Sequence, residues 1–263
     1  MSLPSSWPYP FWIAHRGAGR RVPENTLAAF REGAARGFRM FECDVKLSAD
    51  DVPFLLHDSA LERTTSGFGR AGDHPWGVLS RLDAGAWHSP AWAGEPMPTL
   101  EAVARFVLAN ACAVNLEIKP TPGVETRTGQ IVARTAAALW SGTLPPPLLS
   151  SFSVPALAAA AAAAPALPRA LLLDELWEGW FETAATLGCV AVVTEHKLMD
   201  AALVERLHGA GRRALVYTVN DARTAHALVA MGVAGIVTDE VDAFAFAARQ
   251  GLRGPGDGAG PST

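Results

Sequence analysis

The feature that most limits the fold of this chain is a regular alternation of short apolar segments with longer helical patterns. We predict eight strands, at 11–14, 39–45, 114–118, 148–151, 169–173, 190–193, 214–219 and 235–237. Eight βα units in about 250 residues indicate a (β/α)8 TIM barrel of the α/β class. A doubly wound open sheet is the alternative, but no glycine-rich phosphate loop opens the first helix as it would in a dinucleotide-binding fold.

One further apolar segment, at 52–56, does not fit this alternation. It follows the second strand after about six residues, and a parallel crossover needs a dozen or more. We therefore predict a hairpin with its turn at 48–51, which would fold His57 back toward the second strand.

Residues 58–98 have no clear period but contain three tryptophans, which predicts a packed, lid-like insertion after strand 2. The tryptophans could equally serve only to cover the edge of the barrel. The barrel is expected to span residues 11–248. The Gly/Pro-rich segment 251–263 is expected to be a disordered tail.

The second predicted strand carries two carboxylates, Glu42 and Asp44, on one face, because alternate side chains of a strand point the same way. Like charges about 7 Å apart repel unless a cation or a proton lies between them. Glu117, at the end of the next barrel strand, adds a third carboxylate at the edge where barrels place catalytic groups. Oxygen ligands suit Mg²⁺ or Ca²⁺ rather than Zn²⁺. The three acids are a candidate divalent-metal site, although each singly could be a salt-bridged barrel residue.

Two histidines and two cations also lie at predicted strand ends. Imidazole titrates near neutral pH, so one of His15 and His57 could take a proton from a nucleophile while the other gives one to a leaving alkoxide. Arg16 and Lys119 could bind phosphate oxygens or simply neutralise the acids. The simplest object that uses all of these groups is a divalent-metal site acting on a phosphate.

The net charge and the distribution of apolar residues limit the partners and compartments that fit this chain. A net charge of −4 and a pI near 6.0 give no general attraction to nucleic acid or to an anionic membrane. No apolar run is long enough for a membrane span, and no signal peptide is evident, so we expect a cytoplasmic protein without stable membrane insertion. Three cysteines cannot all pair, and we expect free thiols. The oligomeric state is left open, and a homo-oligomer is compatible with the sequence.

The strand-end residues belong to an ordered series of motifs. In chain order these are His15-Arg16-Gly17, Pro23-Glu24-Asn25-Thr26, Glu42-x-Asp44, His57-Asp58, Arg63-Thr64-Thr65, Pro98-Thr99-Leu100, Glu117-Ile118-Lys119, Ser151-Phe152 and Gly235-Ile236-Val237-Thr238-Asp239. The series, which covers roughly residues 11 to 245, closely resembles that of the glycerophosphodiester phosphodiesterases. The chain looks like the short, single-domain bacterial type.

The resemblance implies a barrel enzyme that hydrolyses glycerophosphodiesters to glycerol 3-phosphate and an alcohol. It implies these roles: Ca²⁺ or Mg²⁺ binding by Glu42, Asp44 and Glu117, general acid–base catalysis by His15 and His57, phosphate binding by Arg16 and Lys119, and further substrate contacts by Phe152 and Tyr217. The first nucleophile could be water or the glycerol 2-hydroxyl of the substrate. The alcohol that leaves is not defined by the sequence.

Two positions depart from the family pattern. Asp50-Asp51 stands in the hairpin turn where the family usually has Asp-Gly, which changes the turn but no expected ligand. Tyr217 stands where many members carry Trp near the pocket, which bears on substrate preference. Two alternatives use the same barrel: a related enzyme acting on membrane lipids, and a non-catalytic barrel that binds a phosphorylated ligand. The first would need a membrane-binding face and the second would have lost part of the site, and neither feature is evident.

Overall fold

Eight parallel strands close into a barrel in the computed structural model, which describes residues 7–251. The strands are β1 Trp12–Ala14, β2 Met40–Leu47, β3 Pro53–Leu55, β4 Ala113–Ile118, β5 Leu148–Ser151, β6 Arg169–Leu173, β7 Ala191–Glu195, β8 Arg213–Tyr217 and β9 Gly235–Thr238. They are hydrogen-bonded in the order β1-β9-β8-β7-β6-β5-β4-β2-β3, and a β1–β2 pairing closes the ring. The predicted (β/α)8 barrel is confirmed.

The helices alternate with the barrel strands. They are α1 Leu27–Ala35, α2 Trp76–Leu79, α3 Leu100–Ala109, α4 Glu125–Leu139, α5 Val154–Ala163, α6 Trp180–Thr186, α7 Ala201–Gly209, α8 Ala222–Met231 and α9 Ala245–Gln250. Side-chain oxygens cap several of the first turns; those of Thr26 and Thr99 accept the backbone N–H of Ala29 and Ala102. The helix α6 begins at Trp180, directly after Gly179, which adopts a left-handed conformation with φ 86°.

The strand β3 lies outside the barrel and pairs antiparallel with β2. Val45 faces Leu55, and Leu47 faces Pro53, so the hairpin predicted from the short spacing is confirmed. β2 is longer than predicted and runs on to Leu47 beyond the barrel rim. This extension places β3, and the histidine that follows it, over the carboxyl ends of the barrel strands.

The inward-facing side chains fill the lower barrel. Ile13, Met40, Leu148 and other apolar residues form one buried cluster that Trp7 and Tyr9 close from below. Outside the barrel, the alanine-rich α5 packs closely on α4. A Cβ built on Gly129 would lie 2.0 Å from the backbone oxygen of Ala156, so no larger residue fits there without movement.

Residues 58–98 form a packed cap. Seven buried residues make a small core between β3 and this segment: Phe54, Leu56, Leu61, Ala71, Leu79, Ala84 and Met97. Of the three tryptophans, Trp76 and Trp92 are partly buried, and Trp87 is exposed. The short helix α2, which the sequence pattern did not predict, lies in this segment. The packing of residues 58–98 is compatible with a lid, and that role stays a prediction.

Within residues 7–251, no helix has both the length and the apolar character to cross a membrane. The tail predicted to be disordered lies, apart from Gly251, outside the described residues.

Candidate active site

Three carboxylates meet at the carboxyl ends of β2 and β4. Asp44 and Glu117 are directly opposite each other in the parallel ladder, and Glu42 lies two residues before Asp44 on the same face. One oxygen from each of the three lies within 4.8 Å of the others, and all three side chains are buried. The structure therefore brings together the three acids that the sequence singled out.

Burial, mutual repulsion and the neighbouring cations shift the pKa values of the three carboxylates in different directions. Burial and the charge of Asp44 raise the pKa of Glu42 well above its ordinary value and raise that of Glu117 to about 7. Burial alone would also raise the pKa of Asp44, but Lys119 and Arg16 outweigh it and lower that pKa.

Two carboxylate oxygens of the group have no hydrogen-bond partner among the described residues. These are Oε1 of Glu42 and Oδ1 of Asp44. Burying such an acceptor unpaired costs on the order of 1–3 kcal/mol, and more when it is charged. A hard divalent cation prefers oxygen ligands of this kind, so the donor set fits such an ion.

The two predicted phosphate-binding cations flank the carboxylates. Nη1 of Arg16 donates to Glu24 at 2.8 Å, and its Nε lies 3.4 Å from Asp44. Nζ of Lys119 lies 2.7 Å from Glu117 and 3.5 Å from Asp44. Glu24 thus holds the Arg16 guanidinium directly.

His15 enters the site from the end of β1. Its Nδ1 lies 2.6 Å from Asp239 Oδ1, and its Nε2 lies 3.7 Å from Glu42 Oε2. A carboxylate can only accept hydrogen bonds, so this contact places the proton on Nδ1 and leaves Nε2 toward the carboxylates. Asn220 secures Asp239 by donating from Nδ2 to Oδ2 at 3.1 Å and by accepting the Asp239 backbone N–H at 2.9 Å.

His57 is held in the same manner from the hairpin side. Its Nδ1 lies 2.6 Å from Asp58 Oδ1, which leaves Nε2 as the nitrogen available for chemistry. Burial lowers the pKa of His57, with Arg16 and Lys119 acting in the same direction and Asp44 opposing them. The uncharged ring is therefore favoured at neutral pH before an anionic ligand binds.

An aromatic wall, made of Phe152 and Tyr217, stands beside Lys119. The two rings meet edge to face at 5.8 Å between centroids, and Nζ of Lys119 lies 5.5 Å from the Phe152 centroid. The Tyr217 hydroxyl donates to the Leu173 carbonyl at 3.2 Å. Phe152 is 38% exposed, which leaves part of its ring open to a ligand.

The backbone after β1 adopts an unusual conformation that serves the site. Arg16 has φ 49° and ψ 30°, a left-handed conformation that is strained for a residue with a Cβ. This conformation lets its N–H donate to Glu42 Oε2 at 3.1 Å. A Cβ on Gly19 would lie 2.0 Å from the backbone oxygen of Asp239, so only glycine allows the two strand ends to approach this closely.

Several residues that support the site had no role assigned from the sequence. Asp239 and Asp58 orient the two histidines, and Asn25 holds Asp44 by donating from Nδ2 to Oδ2 at 2.9 Å. Each lies in a quoted motif, and Asp239 follows the end of β9, so the strand-end rule could have singled it out. Lys46, buried with its Nζ donating to the Lys119 carbonyl at 3.0 Å, lies in no motif.

Comparison with known proteins gives consistent matches. The sequence model of the glycerophosphoryl diester phosphodiesterase family matches residues 15–243. A Bacillus subtilis (strain 168) protein named putative glycerophosphodiester phosphodiesterase YhdW is 32% identical over 239 residues, which cover 88% of this chain and 94% of that protein. A glycerophosphodiester phosphodiesterase of Caldanaerobacter subterraneus subsp. tengcongensis is 30% identical over 244 residues, covering 91% and 98% respectively.

A solved structure is similar over nearly the same length. It is that of an Oleispira antarctica phosphodiesterase in complex with the product sn-glycerol-3-phosphate, with a TM-score of 0.84 and 31% sequence identity. The match covers 92% of this chain and 97% of that one.

Proposed function

Because the chain belongs to the glycerophosphoryl diester phosphodiesterase family and is a glycerophosphodiester phosphodiesterase, we propose that it uses a divalent metal ion and two histidines to release glycerol 3-phosphate and an alcohol. The observation that carries this proposal is the buried group of Glu42, Asp44 and Glu117, whose oxygens lie within 4.8 Å of one another. The product bound in the Oleispira antarctica phosphodiesterase supports glycerol 3-phosphate as the product here.

The metal would be Ca²⁺ or Mg²⁺, held by Glu42, Asp44 and Glu117. When bound, such an ion neutralises phosphate charge and stabilises the charge that develops on oxygen in the transition state. The unpaired oxygens of Glu42 and Asp44 support this assignment, because they would otherwise be buried without a partner. Smaller Mg²⁺ and larger Ca²⁺ are both compatible with three carboxylates.

Arg16 and Lys119 would hold the substrate phosphate. Both cations are already in place, since each is bound to a carboxylate that fixes its position. The planar guanidinium offers parallel donors to two phosphate oxygens, whereas the ammonium acts as a point charge. Phe152 and Tyr217 would contact the carbon skeleton of the substrate next to the phosphate.

His15 and His57 would move the protons. A new P–O bond forms to the nucleophile, whose proton passes to Nε2 of one histidine. The P–O bond to the alcohol breaks, and Nε2 of the other histidine, which must begin the step as an imidazolium protonated on both nitrogens, gives the leaving oxygen its proton. The nucleophile is water, or the glycerol 2-hydroxyl followed by hydrolysis of a cyclic phosphate, and both routes use the same pair. The contacts of Asp239 and Asp58 with the two Nδ1 atoms support this assignment, because they leave each Nε2 free for proton transfer.

The direct test is release of glycerol 3-phosphate from glycerophosphocholine by protein treated with EDTA, before and after Ca²⁺ or Mg²⁺ is restored. We expect no turnover in EDTA and recovery with one or both ions, because the carboxylates alone repel the phosphate. Glu42→Gln should stay inactive at every metal concentration while keeping its fold by circular dichroism. Full turnover in EDTA, or in Glu42→Gln, would overturn the metal assignment.

A further inference from the structure

A chain of charged side chains connects Arg16 with His57 through Arg63. Arg16 Nη1 donates to Glu24 Oε1 at 2.8 Å, and Arg63 Nη2 donates to the same oxygen at 2.8 Å. Arg63 Nη1 donates to Glu24 Oε2 at 2.9 Å. On its other side Arg63 binds Asp58, which in turn holds Nδ1 of His57.

The guanidinium of Arg63 is placed to bridge the carboxylates of Glu24 and Asp58. Its guanidinium donates to both oxygens of Glu24 and, through Nε and Nη2, to both oxygens of Asp58. A planar fork can bridge two carboxylates in this way, whereas an ammonium cannot. Among the described residues, Arg63 forms no hydrogen bond or ion pair with the candidate metal ligands or with the aromatic wall.

We propose that Arg63 is a positioning residue that couples the phosphate-binding Arg16 to the proton-transferring His57. The two groups come from different elements, Arg16 from the end of β1 and His57 from the chain after β3 of the hairpin. Arg63, in the cap segment, connects both through one hydrogen-bonded group of side chains. The inference rests on the proposed function, because it assigns Arg63 a part in that reaction.

A purely structural role for Arg63 predicts something different. Its side chain is 43% exposed while its partners Glu24 and Asp58 are 12% and 28% exposed, and ion pairs open to solvent on one side contribute only modestly to stability. A structural pair would therefore have a small effect on unfolding and none on the reaction. The coupling role instead predicts a kinetic effect on both the phosphate and the proton-transfer side.

Kinetics of Arg63→Gln and Arg63→Lys are the first test, with Arg105→Gln, which removes an exposed ion pair on α3, as the matched control. We expect kcat/KM to fall about tenfold in Arg63→Gln, as for other residues that orient catalytic groups. Arg63→Lys should not restore it, because one ammonium cannot bridge two carboxylates. Glu24→Gln should act mainly on KM, and Asp58→Asn mainly on kcat. The loss from Arg63→Gln should shrink in an Asp58→Asn background.

A second measurement does not depend on turnover. The charged groups facing His57 are Asp58, Asp44, Arg16 and Lys119. Removing Arg63 leaves Asp58 unneutralised, so the imidazolium form of His57 should gain stability and its NMR titration in EDTA should shift to higher pH. An unshifted titration, or wild-type kcat/KM in Arg63→Gln, would overturn the coupling. Inactive wild-type protein would contradict the proposed function, and the NMR shift would still decide whether Arg63 acts on His57.

Discussion

His57 is the residue whose removal tests the acid–base assignment most directly, because it reaches the site only through the hairpin. Replacing it with Ala should lower kcat about 10²-fold or more, the usual contribution of a positioned acid or base. Its contact Asp58 keeps Arg63 as a partner, so the fold should be retained. His226→Ala, on the exposed surface of α8, is the matched control and should leave kcat unchanged. A His57→Ala variant at the wild-type rate would show that this imidazole does not take part.

The raised pKa of Glu117 leads to a second prediction for a single residue, which concerns the pH dependence of stability in metal-free protein. Burial raises its pKa from 4.5 to about 7, so between these values the folded protein holds a proton that the unfolded chain does not. Because the folded state binds this extra proton, the free energy of unfolding falls as pH rises. The stability contributed by the protonated Glu117 is therefore present at pH 5 and lost by pH 7.5.

Urea unfolding in EDTA at pH 5.5 and 7.5 would measure this loss. Lowered pKa values, such as that of His57, act in the opposite direction, so the comparison must be with Glu117→Gln. That variant should lose part of the decrease, on the order of 1–2 kcal/mol. Added Ca²⁺ or Mg²⁺ should stabilise the wild type most at the higher pH, where the carboxylates are free of protons. An identical pH dependence in both proteins would contradict the raised pKa.

At the scale of elements, the end of β2 is connected to the end of β4 by a buried lysine. Lys46 donates from Nζ to the Lys119 carbonyl at 3.0 Å, and burial lowers its pKa to about 8. A charge kept in such a position costs desolvation energy, which well-packed apolar residues would avoid. We expect Lys46 to hold the strand end that carries Lys119, the proposed phosphate-binding lysine.

Lys46→Met preserves the shape and removes the bond. Relief of the desolvation cost and loss of a partner for the Lys119 carbonyl should largely offset each other, changing the free energy of unfolding by less than about 1 kcal/mol. KM for a glycerophosphodiester should rise about tenfold, a binding loss equal to about 1.4 kcal/mol. Lys197→Met, at an exposed site near the end of β7, is the control. A wild-type KM in Lys46→Met would remove the positioning role.

Elements are also the scale at which the sequence is most informative. Period-two and helical patterns located all eight barrel strands, and strand-end positions located the three acids, because both depend on local alternation. The role of Asp239 depends on closure of the ring, which brings β9 next to β1 after more than 200 residues of chain. The sequence marks Lys46 only as a lysine within an apolar strand. That pattern does not distinguish a lysine that faces solvent from one buried under a hairpin.

For the whole molecule, the barrel separates stability from chemistry by placing them at opposite ends. The carboxyl ends of the strands carry the charged site, while Trp7 and Tyr9 close the other end over an apolar interior. This segment precedes β1 in a proline-rich stretch with no period, so its packing could not be read from the pattern. The structure also shows that the Tyr9 hydroxyl donates to the Pro146 carbonyl at 2.9 Å, which joins the closing segment to the chain before β5.

Trp7→Ala should therefore lower stability without lowering activity. Trp7 is 8% exposed and packs edge to face on Tyr9 at 4.8 Å, so truncation should cost about 3 kcal/mol in urea unfolding, as for other buried aromatic residues. The matched control is Trp87→Ala in the cap, where 40% exposure limits the expected loss to about 1 kcal/mol. Under conditions in which both variants are fully folded, kcat/KM of Trp7→Ala should equal that of the wild type. A stable Trp7→Ala variant with lowered kcat/KM would mean that packing at the closed end of the barrel transmits strain to the strand ends that carry the site.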